Sequence, residues 1–473
     1  MILVHPPVSS VSTMTNDHEI SEQAVSTLQQ HFGDRCILPG DSEYQDEIQL
    51  WNGAIDRYPA VVVGCQHTDD VVNALEVATS NDIPFSVKAG GHMTTGHALV
   101  EDGIVLDLSP LNRVELRDET ITVGGGATWD AVNEVALEHG LLPPGIPETV
   151  GVGGFTLGGG MGVTGRLNGL ACDNLVSAEV VTAAGDVVTA SATENEDLYW
   201  ALRGGGGNLG VVTSFAFECI KETRECLVAN VLYPIEEASE YLTYFGEVAP
   251  ELPAETFPTA ALLTIPELPD LPEELHGELA VAGYVMCVGT DDSFKKALEE
   301  FADFGDPHVA AVYPADYTEL YLPFQVPTGQ RHHWESFYFE ELDMTFADAL
   351  VEEALPMPTP QTSIALYGLG GAINEVDPTA TAYPHRDAPF ALHLTTHWLD
   401  ETDDDRCIEW TRAVHQALRE HGTGGEYVNN QTDTDEDRVR AAYGVNYDRI
   451  AEVKSRWDPA DWFRSTQHVE PKS

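Results

Sequence analysis

Glycines are concentrated in the segment GIPETVGVGGFTLGGGMGVTGRLNGLACDN at 145–174. Glycine adopts positive φ and lets the backbone approach a ligand closely, and the exposed N–H groups of such loops can bind an anion. A flexible loop is the alternative, but Val, Phe, Leu and Met side chains separate the glycines, which favours an ordered segment. We therefore expect this segment to hold a pyrophosphate.

Two stretches in this half of the chain satisfy G-x-G-x-x-G, namely GMGVTG at 160–165 and GGGNLG at 205–210. In a dinucleotide-binding fold, that motif follows a strand and opens a helix. The first stretch follows further glycines, and the second leads into the strand signal GVVTSF at 210–215. We expect neither of them to bind NAD.

His92 follows a Gly-Gly turn in a second glycine-rich segment, SVKAGGHMTTGH at 86–97. An imidazole at this position is a candidate nucleophile, metal ligand or covalent tether, and an ordinary polar turn residue is an equal alternative. The neighbouring pair His332 and His333 lies on a predicted strand, where consecutive side chains point to opposite faces. We therefore expect no metal site from that pair, and the chain contains neither HExxH nor GxSxG.

The elements that must position these residues change in character along the chain. Up to about residue 220, short strand signals such as AVVVG at 60–64 and the hairpin signal at 178–190 alternate with helices. From 225 to 420 the strand candidates are longer, and they include RHHWESFYF at 331–339 and APFALHLTTHW at 388–398. A helical tail follows from residue 421. The pattern predicts an α+β fold.

The charge of the chain limits its partners. It has 473 residues with 78 Asp and Glu against 23 Lys and Arg, a formal charge of −55. Nucleic acids and anionic membranes are bound mainly through Lys and Arg, so neither is an expected partner. With 43% hydrophobic residues the chain can still bury large cores. We expect a surface adapted to molar salt, which screens self-repulsion; an ordinary acidic protein is the alternative.

The sequence also bears on location. No apolar run approaches the roughly 18 residues of a membrane span, and the first residues, MILVHPPVSSVSTM, lack a basic export signal. Seven cysteines without a CxxC pair fit a reducing compartment. We therefore predict a cytoplasmic protein in a high-salt cytosol. Translation could begin at Met1 or Met14.

Together these segments resemble the berberine-bridge-enzyme-like flavoproteins of the vanillyl-alcohol-oxidase superfamily. KAGGHMTTG at 88–96 is similar to the family's R-x-G-G-H-x-x-x-G loop, and the segment at 150–188 is similar to its flavin-binding core. DLYWALRGGGGNLGVVTSF at 197–215 resembles the end of the flavin domain. YPHRDAPFALHLTTHW at 383–398 and EYVN at 426–429 resemble the C-terminal half.

The resemblance implies FAD and a two-part FAD-binding domain, combined with a substrate domain in which helices flank an antiparallel sheet. We expect a disordered tail at 1–16, the FAD-binding domain at 17–222, the substrate domain at 223–420 and a returning C-terminal segment at 421–473. The resemblance implies one 8α-histidyl bond from the flavin to His92.

Departures from the family pattern bear on the cofactor. Pro147 stands where many members have a second, cysteinyl flavin link, so only a mono-covalent FAD is expected. Lys88 replaces the usual Arg, and the family's C-terminal Asn-Gln pair is Thr466-Gln467 here. Besides His92, the expected cofactor-binding residues are Lys88, Ala89, Gly90, Gly91, Met93, Gly96, His97, Pro147, Val150, Gly151, Gly153, Gly154, Thr156, Leu157, Gly158, Gly159, Gly160, Gly162, Gly210, Val211, Val212 and Asn429.

The family's catalytic side chain lies five residues before the Trp that ends the later strand, and counting back from Trp398 gives His393. A histidine can take a proton at neutral pH or stabilise charge as a donor; a packed strand histidine is the alternative, and His397 shares its strand face. Tyr427 matches a family tyrosine that reaches the flavin, and it would assist proton abstraction if a neighbour lowered its pKa. Asn430 stands where the family has a second tyrosine.

The expected substrate-pocket residues are His332, Trp334, His385 and Arg386, although the last two are alternatively structural. We expect an FAD-dependent oxidase that takes a hydride from a CH–OH or CH–NH carbon to flavin N5, with O2 as acceptor. Val150, at the family's oxygen-gating position, resembles oxidase members. The alternatives are a dehydrogenase that passes electrons to a quinone or carrier, and a non-catalytic flavin-fold binding protein. The expected partners are a small-molecule substrate and O2, and the expected state is a monomer or homodimer.

Overall fold

The computed structural model describes residues 20–267, 271–465 and 467–472. The tail expected to be disordered, 1–16, and Thr466 of the expected C-terminal pair lie outside these residues. The fold is α+β, with three separate sheets and helices packed on them, which confirms the predicted fold class.

The first sheet has four short strands in the order β1-β2-β4-β3. Strands β2, β4 and β3 run parallel, and β1 is antiparallel to β2. The middle strands are buried apolar runs, as expected for a parallel sheet covered on both faces. Its elements are α1 (Glu22–Phe32), β1 (Cys36–Ile37), α2 (Tyr44–Glu47), β2 (Val61–Gly64), α3 (Thr68–Ser80), β3 (Phe85–Lys88) and β4 (Ile104–Asp107).

The second sheet has five antiparallel strands in the order β5-β6-β9-β7-β8. The hairpin predicted at 178–190 is β7 and β8. The helix that begins at Trp129 ends at Leu137, and Gly140 turns the chain with a φ of +67°. The elements are β5 (Val114–Arg117), β6 (Thr120–Gly124), α4 (Trp129–Leu137), α5 (Val152–Leu157), α6 (Gly165–Asn168), β7 (Leu175–Val181), β8 (Val187–Ser191), α7 (Glu196–Leu202) and β9 (Val211–Glu218).

The third sheet has seven antiparallel strands in the order β13-β10-β12-β11-β15-β16-β14. The elements are β10 (Glu225–Pro234), α8 (Ala238–Val248), β11 (Thr256–Thr264), β12 (Leu279–Val288), α9 (Asp292–Phe301), β13 (Val309–Asp316), β14 (Arg331–Phe339), α10 (Met344–Ala354), β15 (Ser363–Gly368), α11 (Ala372–Glu375), β16 (Phe390–Trp398) and α12 (Asp404–Leu418). Among the described residues, no helix has the length and apolar character needed to cross a membrane.

Strand alternation gives the seven-stranded sheet two different faces. On β16, Phe390, Leu392 and Leu394 pack with α8, α10 and α12 in a hydrophobic core. The intervening residues, His393 and His397 among them, point to the opposite face. One face of this sheet is therefore used for folding, and the other is available for a ligand.

The last helices, α13 (Glu436–Tyr443) and α14 (Tyr447–Trp457), return to the N-terminal half of the chain. Val439 and Ile450 on these helices share a core with Phe215 and Phe217 of β9. This contact fixes the segment just before α13, which carries Tyr427 and Asn430, between the second and third sheets.

Candidate functional site

A large cavity, with a volume of about 1530 Å3, lies between the glycine-rich segments and the face of the seven-stranded sheet opposite its helices. Sites for one drug-sized ligand typically measure about 300–1,000 Å3. The cavity therefore has room for a large cofactor and a substrate together.

His92 lines this cavity from the turn after β3. Its ring stacks on Trp51 with 5.3 Å between ring centroids, and the Trp51 backbone N–H donates to the carbonyl of Gly91. Burial lowers the pKa of His92 to about 4. The ring is therefore neutral at ordinary pH, with a nitrogen lone pair available for bonding.

The two glycine-rich segments touch at Gly90 and Gly151. A Cβ at Gly90 would lie 2.5 Å from the Gly151 nitrogen, and a Cβ at Gly151 would lie 2.6 Å from the Gly90 nitrogen. Gly154 is different, because a Cβ there would meet no described atom within 4 Å. Glycine thus brings two backbones together at the first pair, and it keeps space open at Gly154.

Most residues expected to bind a cofactor line the cavity. They are Ala89, Gly90, Gly91, His92, Met93, His97, Val150, Gly151, Gly153, Gly154, Leu157, Gly158, Gly210, Val211, Val212 and Asn429.

Seven of the expected residues do not line it, and for most of them the reason is packing against protein. Lys88 donates to the Glu47 carbonyl and pairs with Asp107. The remaining glycines would place a Cβ against other parts of the chain: Gly96 against Ile55, Gly159 against Tyr383, Gly160 against Ala171 and Gly162 against the Gly145 carbonyl. Thr156 is fully buried, and Pro147 is buried beside the cavity.

His393 lies on the cavity face of β16, with its ring 4.6 Å from Tyr367 and 5.8 Å from Tyr427. The Asn430 amide donates to Nδ1 at 2.9 Å, so the neutral ring carries its proton on Nε2. Nε2 has no hydrogen-bond partner among the described residues. Burial lowers the pKa of His393 to about 3. The ring is thus a neutral hydrogen-bond donor and a poor base, which favours the charge-stabilising role over proton uptake.

Tyr427 also lines the cavity. Its hydroxyl oxygen accepts from the Met161 backbone N–H and the Asn429 amide, both at 3.2 Å. Burial outweighs these contacts and raises the pKa of Tyr427 to about 12. The condition under which Tyr427 was expected to assist proton abstraction, a lowered pKa, is therefore not met; the phenol keeps its proton and can donate it in a hydrogen bond.

The pairing of β14 with β16 sets Trp334 opposite Thr395 and His332 opposite His397. Trp334 and His397 line the cavity, and His332 does not. The His332 ring is covered by Trp51, which stacks on it at 3.8 Å. The expectation that His332 lines the pocket is thus corrected, because Trp51 lies in front of it.

His385 and Arg386 also lie away from the cavity lining. Arg386 is buried, forms two hydrogen bonds with Asp173 and donates to the Ile373 carbonyl. The His385 ring stacks on Tyr338, and Nε2 is 2.9 Å from the Ala442 carbonyl. Their expected place in the substrate pocket is therefore wrong, and the structural alternative accounts for both residues.

A buried group of side chains behind β14 has the composition of a metal site. Ligand atoms of His333, Glu335 and Asp433 lie within 4.8 Å of one another. Arg438 pairs with Glu335 and lies 3.9 Å from Asp433, which also binds Arg412 at 2.7 Å. Two guanidinium groups already balance these carboxylates, so the group is an ion-pair network that joins β14 to the chain before α13.

Sequence reasoning missed several cavity residues. Trp51 lies in a loop with no motif, and Tyr321 and Tyr367 lie in the variable middle of the chain. Glu148 lines the cavity next to Pro147, and burial raises its pKa to about 7. A carboxylate inside a glycine-rich segment that approaches a ligand was the available signal for Glu148, since removing a carboxylate from water without a partner is costly.

Comparison with known proteins identifies the fold and the family. Residues 59–191 match the model of an FAD binding domain, and residues 426–470 match the berberine and berberine-like family. An FAD-linked oxidoreductase of Bacillus subtilis, YgaK, described as uncharacterized, is 30% identical over 453 residues, 92% of this chain and 97% of its own length.

A curated sequence and a solved structure that carry the name of a nicotine oxidase are also similar to this chain. The (R)-6-hydroxynicotine oxidase of Paenarthrobacter nicotinovorans is 26% identical over 92% of this chain and 96% of its own. The solved 6-hydroxy-D-nicotine oxidase of Arthrobacter nicotinovorans superposes with a TM-score of 0.82 at 26% identity, over 92% of this chain and 98% of that one. The chain therefore belongs to the berberine-bridge-enzyme-like FAD-linked oxidoreductases.

Proposed function

We propose that this enzyme is an oxidase that carries FAD on a single covalent bond to His92 and oxidises a CH–OH or CH–NH carbon of a small molecule, with O2 as acceptor. The observation that carries the proposal is the neutral His92 ring on the wall of a cavity that also exposes His393 and Tyr427. FAD-dependent oxidation follows from the family. The covalent bond to His92, the type of substrate carbon that is oxidised and O2 as the electron acceptor are proposed.

The residues present fit FAD. The open space beside Gly154 and the glycine-lined wall suit a flat ring system and a pyrophosphate, which need close backbone approach. His92 is the histidine in the glycine turn, and its free lone pair suits attachment at a ring methyl group. Pro147 replaces the cysteine of a second link. Bound FAD would supply the two-electron oxidation.

The chain's own residues would orient the substrate. The Nε2–H of His393 is available to donate to a substrate oxygen or nitrogen, because Asn430 occupies Nδ1. The Tyr427 hydroxyl accepts two hydrogen bonds and keeps its own proton for donation. Such preorganised donors stabilise charge that develops as the substrate reacts.

Use of O2 is supported by two observations. Val150 lines the cavity with a modest side chain, and the named relative is an oxidase. Rapid reoxidation of the reduced protein in air would support the oxidase, and very slow reoxidation would favour a dehydrogenase.

The covalent bond to His92 can be tested without measuring enzyme activity. The purified protein should be yellow, and the colour should stay with the protein after acid precipitation. His92→Ala should bind FAD that acid releases, whereas His97→Ala, a change at the neighbouring cavity histidine, should keep the bond. Complete release of flavin from the unmodified protein would refute the tether.

A further inference from the structure

Glu148 is a carboxylate on the wall of the cavity that the proposed oxidation does not use. Two hydrogen bonds fix the backbone of Glu148. Its N–H donates to the Ile146 carbonyl, and its carbonyl accepts from the Asp130 N–H, both at 2.9 Å. Among the residues that the structure describes, none donates a hydrogen bond to its side chain or forms an ion pair with it. A half-buried carboxylate without a partner is costly to keep charged, so its place on the cavity wall indicates a ligand.

Two tyrosines lie near this carboxylate. Tyr321 and Tyr367 line the same cavity, and the Glu148 charge adds to burial in raising the pKa of both phenols. Tyr367 in turn lies 4.6 Å from the His393 ring. Glu148 therefore faces the chamber that contains the proposed reaction groups, and the faces of these rings can attract a cation.

The rest of the lining offers little to an anion. Within the described cavity wall, the only Lys or Arg is Arg464, which is exposed and paired with Asp461 on the C-terminal segment. The cavity histidines His393 and His397 are neutral, because burial lowers their pKa to about 3 and about 4. A ligand with a positive charge would therefore complement the charge of this wall.

We propose that Glu148 binds a protonated amine, and that the substrates of this enzyme are therefore amine-bearing molecules rather than sugars or acids. The ammonium N–H groups donate to the carboxylate, and the tyrosine rings contact the cation. Because an ammonium nitrogen has no lone pair, one of its protons must pass to the Glu148 carboxylate before the amine carbon can lose a hydride, which then leaves an iminium product. The inference rests on the proposed function and narrows it from an alcohol or amine to an amine.

The test compares cumylamine with cumyl alcohol on the flavin-loaded enzyme by isothermal calorimetry in molar salt. The two probes share one skeleton, and neither has a hydrogen on the carbon that bears nitrogen or oxygen, so neither is oxidised there. We expect the amine to bind at least about tenfold more tightly than the alcohol, a factor that corresponds to about 1.4 kcal/mol.

Variants of Glu148, a control variant and the pH dependence of binding test whether Glu148 causes the preference for the amine. Glu148→Gln should abolish the preference, and Glu148→Asp, which keeps the charge, should retain part of it. Glu138→Gln removes one charge from an exposed position ten residues earlier in the chain and should leave the preference unchanged. Burial raises the pKa of Glu148 to about 7, so the amine should bind about tenfold more weakly per pH unit below that value.

Glu267 also lines the cavity, at an exposed position, and any pH dependence that it contributes would remain in Glu148→Gln. The histidine and tyrosines near the proposed reaction groups keep one protonation state around pH 7. His393 has a pKa lowered to about 3, and burial raises the pKa of Tyr367 and of Tyr427 to about 12. Burial raises the pKa of Tyr321 well above its usual range.

Equal affinities in the unmodified enzyme, binding of neither probe, or a preference that survives in Glu148→Gln would overturn the inference. Its failure is distinguishable from failure of the proposed function. If the flavin stays on the protein in acid but the protein shows no preference for the amine, only the inference about Glu148 is refuted. If acid releases the flavin but the protein still prefers the amine, only the proposed covalent bond to His92 is refuted.

Discussion

At the scale of single residues, the chemistry of this site is set by burial and by one hydrogen bond. His393 was expected from its position to accept a proton or to stabilise charge. The contact from Asn430 selects between these roles, because it occupies Nδ1 and leaves Nε2 with the proton. The low pKa of about 3 keeps the ring neutral.

Asn430→Asp tests this role. A carboxylate at position 430 would accept from Nδ1–H, move the ring lone pair to Nε2 and raise the pKa of His393. We expect kcat to fall by about 100-fold or more, since the donor is lost, and a new ionisation to enter the pH profile of kcat. Asn430→Leu, which removes the contact without adding charge, should lower kcat without that ionisation. An unchanged kcat in Asn430→Asp would show that the tautomer does not matter.

At the scale of elements, the contact between the turn after β3 and the start of α5 positions the cofactor segments. Gly90 and Gly151 allow the two backbones to meet. Gly154, in α5 three residues after Gly151, faces open space. The same residue type therefore has two separate functions within a short segment.

Alanine substitution separates these two functions. Gly151→Ala should destabilise the flavin-free protein by about 1–3 kcal/mol, because the Cβ would overlap the Gly90 backbone. Gly154→Ala should leave the free energy of unfolding of that form nearly unchanged, yet lower the flavin content. Denaturant unfolding without flavin and the flavin-to-protein absorbance ratio measure the two effects. Equal loss of stability in both variants would contradict the distinction.

At the scale of the whole molecule, the charge of −55 predicts a dependence of stability on salt. Acidic side chains on exposed positions such as Glu236, Glu240 and Glu247 have no basic partner among the described residues. Raising salt from about 0.1 M to 1 M shortens the Debye length from roughly 10 to 3 Å. Repulsion between such groups should then decline, and the folded state should gain stability.

Thermal unfolding at increasing KCl concentrations measures this effect. We expect Tm to rise continuously towards molar salt, and the rise to be smaller in a variant with Glu236, Glu240 and Glu247 replaced by Lys. Full stability in salt-free buffer would count against a salt-adapted surface.

The sequence by itself determined the parts of this protein that depend on local pattern. Glycine spacing predicted the segments that line the cavity. The strand signals at 331–339 and 388–398 predicted β14 and β16, and the Gly-Gly turn singled out His92 as a candidate site residue. These features are local because backbone conformation and strand facing depend on neighbouring residues.

Only the tertiary structure decided the protonation states and the partners. Asn430 meets His393 across 37 positions, Met161 meets Tyr427 across 266, and Trp51 covers His332 from a distant loop. Burial then moves the pKa of Glu148 up and that of His393 down. Desolvation depends on everything packed around a group, and no local pattern in the chain records which distant segments will surround it.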